Sequence, residues 1–165
     1  MPNYSEILAI LNDRSSSLEE ALKFLDQKTC VRFSVWCARR VVHLDPTGKS
    51  LDVIEAAEAW LLDPSERNCA AAKKASNAAW DAANAAWVTY AAAYAAAYAA
   101  YAAYAAADAV ADAAARAARA AYWAAKTLPE HERQAEQEAQ RYQLKLMVYD
   151  LLPEEEKSWL LEVTL

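Results

Sequence analysis

The run AAAYAAAYAAYAAY, residues 91–104, decides the fold. Tyrosine recurs in it every three or four residues, the repeat of one helical face, and everything between is alanine, the strongest helix former. Outward from this run the pattern persists. Between Cys69 and Ala125 roughly three residues in five are alanine, and no glycine or proline interrupts the chain from Ser65 to Leu128. At about 100° per residue, Trp80, Trp87, Tyr90, Tyr94, Tyr98, Tyr101 and Tyr104 share an arc roughly 120° wide, which Asp108, Asp112, Arg116, Arg119, Tyr122, Trp123 and Lys126 continue. One face is large and chemically varied; the rest is methyl.

The flanks carry the same signature in shorter pieces. Gly48 is the single glycine among 165 residues, and hairpins need positive-φ turn residues, so the class is all-α: a single-domain helical bundle around a long alanine-rich helix or helical hairpin. Residues 1–62 hold short helices. Ser5 caps one through Leu11, the capping box Ser17-Leu18-Glu19-Glu20 opens a second, and the apolar segment Cys30 to Leu44 forms a central core helix. Ser50 caps a fourth through Leu62, with Val53, Ile54, Ala57 and Trp60 as its buried stripe. Residues 63–127 form the alanine-rich unit, opened by Asp63 as N-cap with Pro64 at the first helical position. Residues 129–165 hold a helix from Glu130 to Leu151, with Leu144, Met147, Val148 and Leu151 inward and Glu132, Glu136 and Gln140 in water. A short final helix follows Pro153, docked through Trp159, Leu160 and Val163.

This reading creates a length problem. Ser65 to Lys126 as one straight helix would run roughly 90 Å, whereas a compact domain of this size is about 40 Å across. The tract bends back, protrudes, or pairs with a second copy; the phase of the stripe favours a long, kinked helix. Packed against the shorter helices, the stripe supplies core to Trp36, Val41, Ile54, Trp60 and the Leu144 helix.

Composition narrows function by exclusion. Net charge is −6, divided as about −3 over residues 1–65, +2 over 66–128 and −5 beyond, with no basic stripe for duplex DNA or an anionic membrane. The tract holds too many Tyr, Asp and Arg residues to span a bilayer, and the start lacks a basic segment and long apolar core, so a cytoplasmic protein is expected. Cys30, Cys37 and Cys69 read as reduced thiols, since Cys30 and Cys37 stand about 10 Å apart along a helix, too far to bridge.

Motifs for chemistry are equally sparse. Thr47-Gly48-Lys49-Ser50 resembles the end of a phosphate-binding loop, but His43 stands where that loop needs glycine, so it reads as an interhelical turn. His43 and His131 are isolated, the cysteines lack metal spacing, and Asp108 and Asp112 are followed on their face by Arg116 and Arg119, a charge ladder. Neither metal nor cofactor is expected, and no nucleophile has a histidine partner in the pattern, so the chain reads as a non-enzyme. Tyrosine gives large, rigid contact area at low entropy cost. The end of the stripe, Tyr98, Tyr101, Tyr104, Asp108 and Asp112, is therefore the expected protein-binding face.

Four segments also carry a family resemblance. Cys30-Val31-Arg32-Phe33-Ser34-Val35-Trp36-Cys37-Ala38-Arg39-Arg40-Val41, Ile54-Glu55-Ala56-Ala57-Glu58-Ala59-Trp60, the Ala-Ala-Trp tract and a Gln/Arg helix ending in Tyr149-Asp150-Leu151-Leu152 are similar, in order and spacing, to the immunity-5-like proteins of bacterial polymorphic toxin systems. The resemblance implies a non-enzymatic inhibitor that neutralises a toxin or effector by direct binding, and an acidic inhibitor suits a basic target. Two alternatives stand beside it. One is a phage-borne inhibitor of a bacterial defence complex, anti-CRISPR-like; the other is a structural protein forming a homodimer through its alanine faces.

Overall fold

The computed structural model describes residues 4–45, 48–85, 110–154 and 157. Among them it is all-helical: α1 (Tyr4–Asn12), α2 (Leu18–Leu22), α3 (Gln27–Val41), a 3-10 turn (Val42–Leu44), α4 (Lys49–Leu62), α5 (Glu66–Ala85), α6 (Val110–Lys126) and α7 (Glu130–Leu151). The all-α expectation holds, with no strand among these residues.

The organising element is α3. Asp26 starts it earlier than Cys30, the start expected from sequence, because its carboxylate accepts from the Thr29 amide at 3.0 Å and from the Thr29 hydroxyl at 2.7 Å. The helix then buries two stripes roughly 120° apart. Cys30, Phe33, Cys37 and Val41 join Ile7 and Leu11 of α1, Leu22 of α2, Ala121 and Ala124 of α6, and Leu144 and Val148 of α7. Val31, Val35 and Ala38 join Val53, Ile54, Ala57 and Trp60 of α4 and Ala72 of α5. One helix therefore carries two hydrophobic clusters.

Paired arginines at the end of α3 fasten it to both neighbours. Arg39 grips Glu58 of α4 through Nε (2.9 Å) and Nη2 (2.6 Å), an exposed pair. Arg40 grips Glu136 of α7 through Nε at 2.8 Å and Nη2 at 2.7 Å, and its guanidinium lies 4.8 Å from the centre of the Trp36 ring. Glu136 is only 3 % exposed, and Gln140, also buried, donates to it at 3.1 Å and to the Ala121 carbonyl at 2.9 Å. These two residues correct the sequence reading, which left them in water. They lie on the stripe of Leu144, Met147 and Val148, and Arg40 supplies the partner that lets a carboxylate occupy a core position.

Two helix starts are also corrected. The amide of Ser50 donates to the Asp45 carboxylate at 2.8 Å, and the chain enters α4 through Gly48 at φ 70°, so Asp45 rather than Ser50 serves as the capping acceptor. At α5 the cap is Ser65, whose hydroxyl accepts from the Asn68 amide at 3.4 Å, because the Asp63 amide is still bonded to Ala59 at the end of α4. Ser17 caps α2 as expected.

The two described ends of the alanine tract settle part of the length problem. Ala72 and Ala121 would stand about 73 Å apart on a straight helix. They belong instead to clusters seated on the same 15-residue α3, with α5 against α4 and α6 against α3. Helices packed 8–10 Å apart keep such residues within about 40 Å, so a straight rod is excluded. How the chain passes between Ala85 and Val110 lies outside the described residues, as does the segment with Trp159, Leu160 and Val163.

Candidate partner-binding groove

Alanine decides which way α6 faces. Ala120, Ala121, Ala124 and Ala125 are buried against the body, and the bare methyl face lets the helix approach α3 closely. Much of the decorated face is turned away: Arg119 and Lys126 are exposed and Tyr122 is 56 % exposed, whereas Arg116 and Trp123 are half-buried, Trp123 against the cluster around Phe33. At this end of the tract the expectation of an inward stripe is reversed. Methyl groups form the core contact, while Arg119, Tyr122 and Lys126 form surface.

That surface borders a groove of about 500 Å³ between the α2 entrance, α6 and α7. Its apolar lining comes from Leu18, Ala121, Ala125 and the Tyr122 ring; its polar lining includes Arg14, Arg119, Arg141, Gln137 and Gln140. Each element places its residues for a local reason. Asp13 folds the Asn12–Ser17 turn by accepting from the Ser15 amide at 2.9 Å and from the Ser15 and Ser16 hydroxyls, bonds that hold its carboxyl below the usual range. Arg141 reaches across from α7 to the same turn, donating to the Ser16 carbonyl at 2.8 Å and the Asp13 carbonyl at 3.1 Å, with longer contacts to Ile10 and Leu11 at the end of α1. Arg141 is therefore a structural clamp as well as a wall of the groove.

The rim is stiffened by stacking. Tyr122 and Trp123 meet edge to face with centroids 5.4 Å apart, and the Lys126 ammonium sits 5.4 Å and 5.1 Å from their ring centres while donating to the Tyr122 hydroxyl at 3.2 Å. Carboxylates beside the groove are already matched: Glu19 with Lys23 at 3.2 Å, and Glu138 with Arg14 at 3.2 Å, the latter an exposed pair. Smaller depressions continue past Arg14 and Arg141 to Tyr142 and Lys145. Burial, followed by the charges of Arg141 and Arg14, pushes the Lys145 ammonium below its ordinary range.

Of the residues expected to bind a partner, Tyr98, Tyr101, Tyr104 and Asp108 lie outside the described residues. Asp112 falls within α6, but its side chain is likewise outside. The groove itself was missed in sequence because Arg14, Arg119 and Arg141 are far apart in the chain; only the Arg119–Tyr122 part of the stripe pointed to it. His43 is exposed, and Gly48 follows α3 and its 3-10 turn rather than the strand of a phosphate-binding loop. Among the described residues no helix is long and apolar enough to cross a membrane, and no group of three or more His, Cys, Asp or Glu is gathered for a metal. Comparison of the chain with protein-family models, curated proteins and solved structures returns no match.

Proposed function

We propose that the chain is a non-enzymatic binding protein of the immunity type, a rigid helical body that neutralises a toxin or effector protein by occupying it. One observation carries the reading: α6 buries its alanines and turns Arg119 and Tyr122 outward, onto a groove completed by Arg14 and Arg141. Arginine and tyrosine are the residues that dominate binding energy at protein interfaces. Two other arginines join helices: Arg40 pairs with buried Glu136, and Arg141 donates to four carbonyls of the α1–α2 corner. Such bonds favour a preformed surface, which lowers the ordering cost of association. The sequence segments similar to immunity-5-like proteins support the same class.

The test is reconstitution with the protein encoded beside this chain's gene. A stoichiometric complex on size-exclusion chromatography, with loss of that protein's activity at one equivalent, is expected. No complex at concentrations on the order of 10 µM, where even a modest interface is populated, would overturn the proposal.

A further inference from the structure

We infer that the outer face of α7 is a self-association surface, on which a second copy of the chain lays its own α7 in antiparallel register about Tyr142. This face lies outside the alanine tract, and its use is independent of the inhibitor reading. At about 100° per residue, Ala135, Ala139, Tyr142, Leu146 and Tyr149 fall within an arc of about 80°, opposite the buried stripe of Leu144, Met147 and Val148. Tyr142 is 63 % exposed and Leu146 40 %, Ala135 is exposed and Ala139 half-buried, so the bundle leaves the middle of the arc in water. Its end is already engaged. The Tyr149 hydroxyl donates to the Lys157 carbonyl at 3.5 Å, and the Lys157 ammonium lies 5.9 Å from the ring centre. The open stretch therefore runs from Ala135 to Leu146.

Residue order along this stretch selects the occupant. Its first half offers methyl groups and its second half a large aliphatic residue, so a copy running the opposite way sets large against small. With the two-fold axis between residues 141 and 142, Leu146 of one copy falls midway between Ala135 and Ala139 of the other, and the two Tyr142 rings meet across the axis. Alanine on the receiving side lets the helix axes approach to about 8 Å. A parallel copy would instead set leucine on leucine and alanine on alanine. Charge agrees with the antiparallel register. Glu138 and Lys145 stand on the same flank of the arc, and the register brings Glu138 of each copy level with Lys145 of the other, so the pair forms twice. Within one chain Lys145 makes no ion pair among the described residues, and burial with the charges of Arg141 and Arg14 disfavours its charged form. Glu138 keeps Arg14 and still has acceptor capacity for a second cation. The stretch is short and each copy carries −6, so the dimer is weak, with a Kd on the order of 10–100 µM.

The experiment is sedimentation velocity of the full chain over about 5 µM to 1 mM, where monomer should pass into dimer. Leu146→Asp and Ala135→Trp, both at exposed positions, should each weaken the dimer at least about tenfold, with circular dichroism matching the parent. Lys145→Glu sets carboxylate against carboxylate and should weaken it about threefold to tenfold; adding Glu138→Lys reverses both members of the pair and should return the Kd to within about twofold of the parent. Glu138 and Lys145 are about 10 Å apart along one helix, so this rescue reports contact between copies. A chain that stays monomeric to about 1 mM overturns the inference, as does a dimer indifferent to Leu146→Asp, Ala135→Trp or Lys145→Glu. A charge swap that fails to restore association overturns it as well.

Discussion

Replacing Arg40 by alanine removes the cation that lets Glu136 sit inside the bundle. With Glu136 3 % exposed, only Gln140 remains as donor to it in the described surroundings, and stripping a buried carboxylate of its partner costs about 3–5 kcal/mol. Arg40 itself is 42 % exposed, so water screens part of the pair and the lower end, about 3 kcal/mol, is the working value. Loss of the cation from the Trp36 ring adds roughly 0.5 kcal/mol. For a chain of this length each kcal/mol moves the melting point by about 2–4 °C, so Arg40→Ala should melt roughly 7–14 °C lower. The informative comparison is Arg40→Met with Glu136→Leu, which removes both charges and fills the space; it should recover most of the loss. Equilibrium urea unfolding of the parent, Arg40→Met, Glu136→Leu and the double variant measures this as a coupling energy. If Arg40→Ala lies within about 1 kcal/mol of the parent, or the apolar pair is no better than Arg40→Ala alone, Glu136 is not buried as described.

Other outcomes follow from packing and from shifted thiols and carboxyls. Ala124→Leu, pushed into the α6–α3 contact where Ala124 is fully buried, should cost about 1–3 kcal/mol by urea unfolding, whereas Arg119→Leu on the opposite face should stay within about 0.5 kcal/mol. Burial, with the charge of Asp26 adding to it, pushes the Cys30 thiol up to about 12, and burial raises Cys37 as well, so a thiol reagent at pH 8 should label half-buried Cys69 and spare these two until the chain is denatured. Rapid native labelling of Cys37 would contradict the packing of α3. The Asp13 carboxyl is held below its unfolded value of 3.8 by the Ser15 and Ser16 bonds, so its contribution is complete above that pH and fades as pH falls through the lower folded value. Asp13→Asn should therefore flatten the acid limb of the stability profile and leave the neutral region less stable; an unchanged acid limb would remove Asp13 from the corner.

Helix identity was legible because alanine content, a single glycine and helical spacing all point the same way. The apolar stripes of α3 and α4 and the Ser17 cap could likewise be read from local spacing. What local spacing does not carry is pairing across the chain. Glu136 and Gln140 repeat at the interval of Leu144 and so belong to its stripe, but their polarity argued for water until Arg40, 96 residues away, supplied the charge. The inward turn of α6 was misjudged for a related reason: bulk suggests core, yet close contact with α3 requires small residues. The groove needs three arginines from three separate segments, and no short motif records their meeting.

The folding back of the tract, with α6 against α3 and α5 against the α4 that shares a cluster with α3, is the central claim of the fold, and one distance tests it. Spin labels at Lys74→Cys and Arg119→Cys, both exposed positions, in a chain with Cys69→Ser and its two buried cysteines retained, report the span by pulsed electron-electron resonance. The packed bundle predicts a distance below about 45 Å. A continuous straight helix would place the two sites about 67 Å apart, and a distribution centred there would contradict the fold.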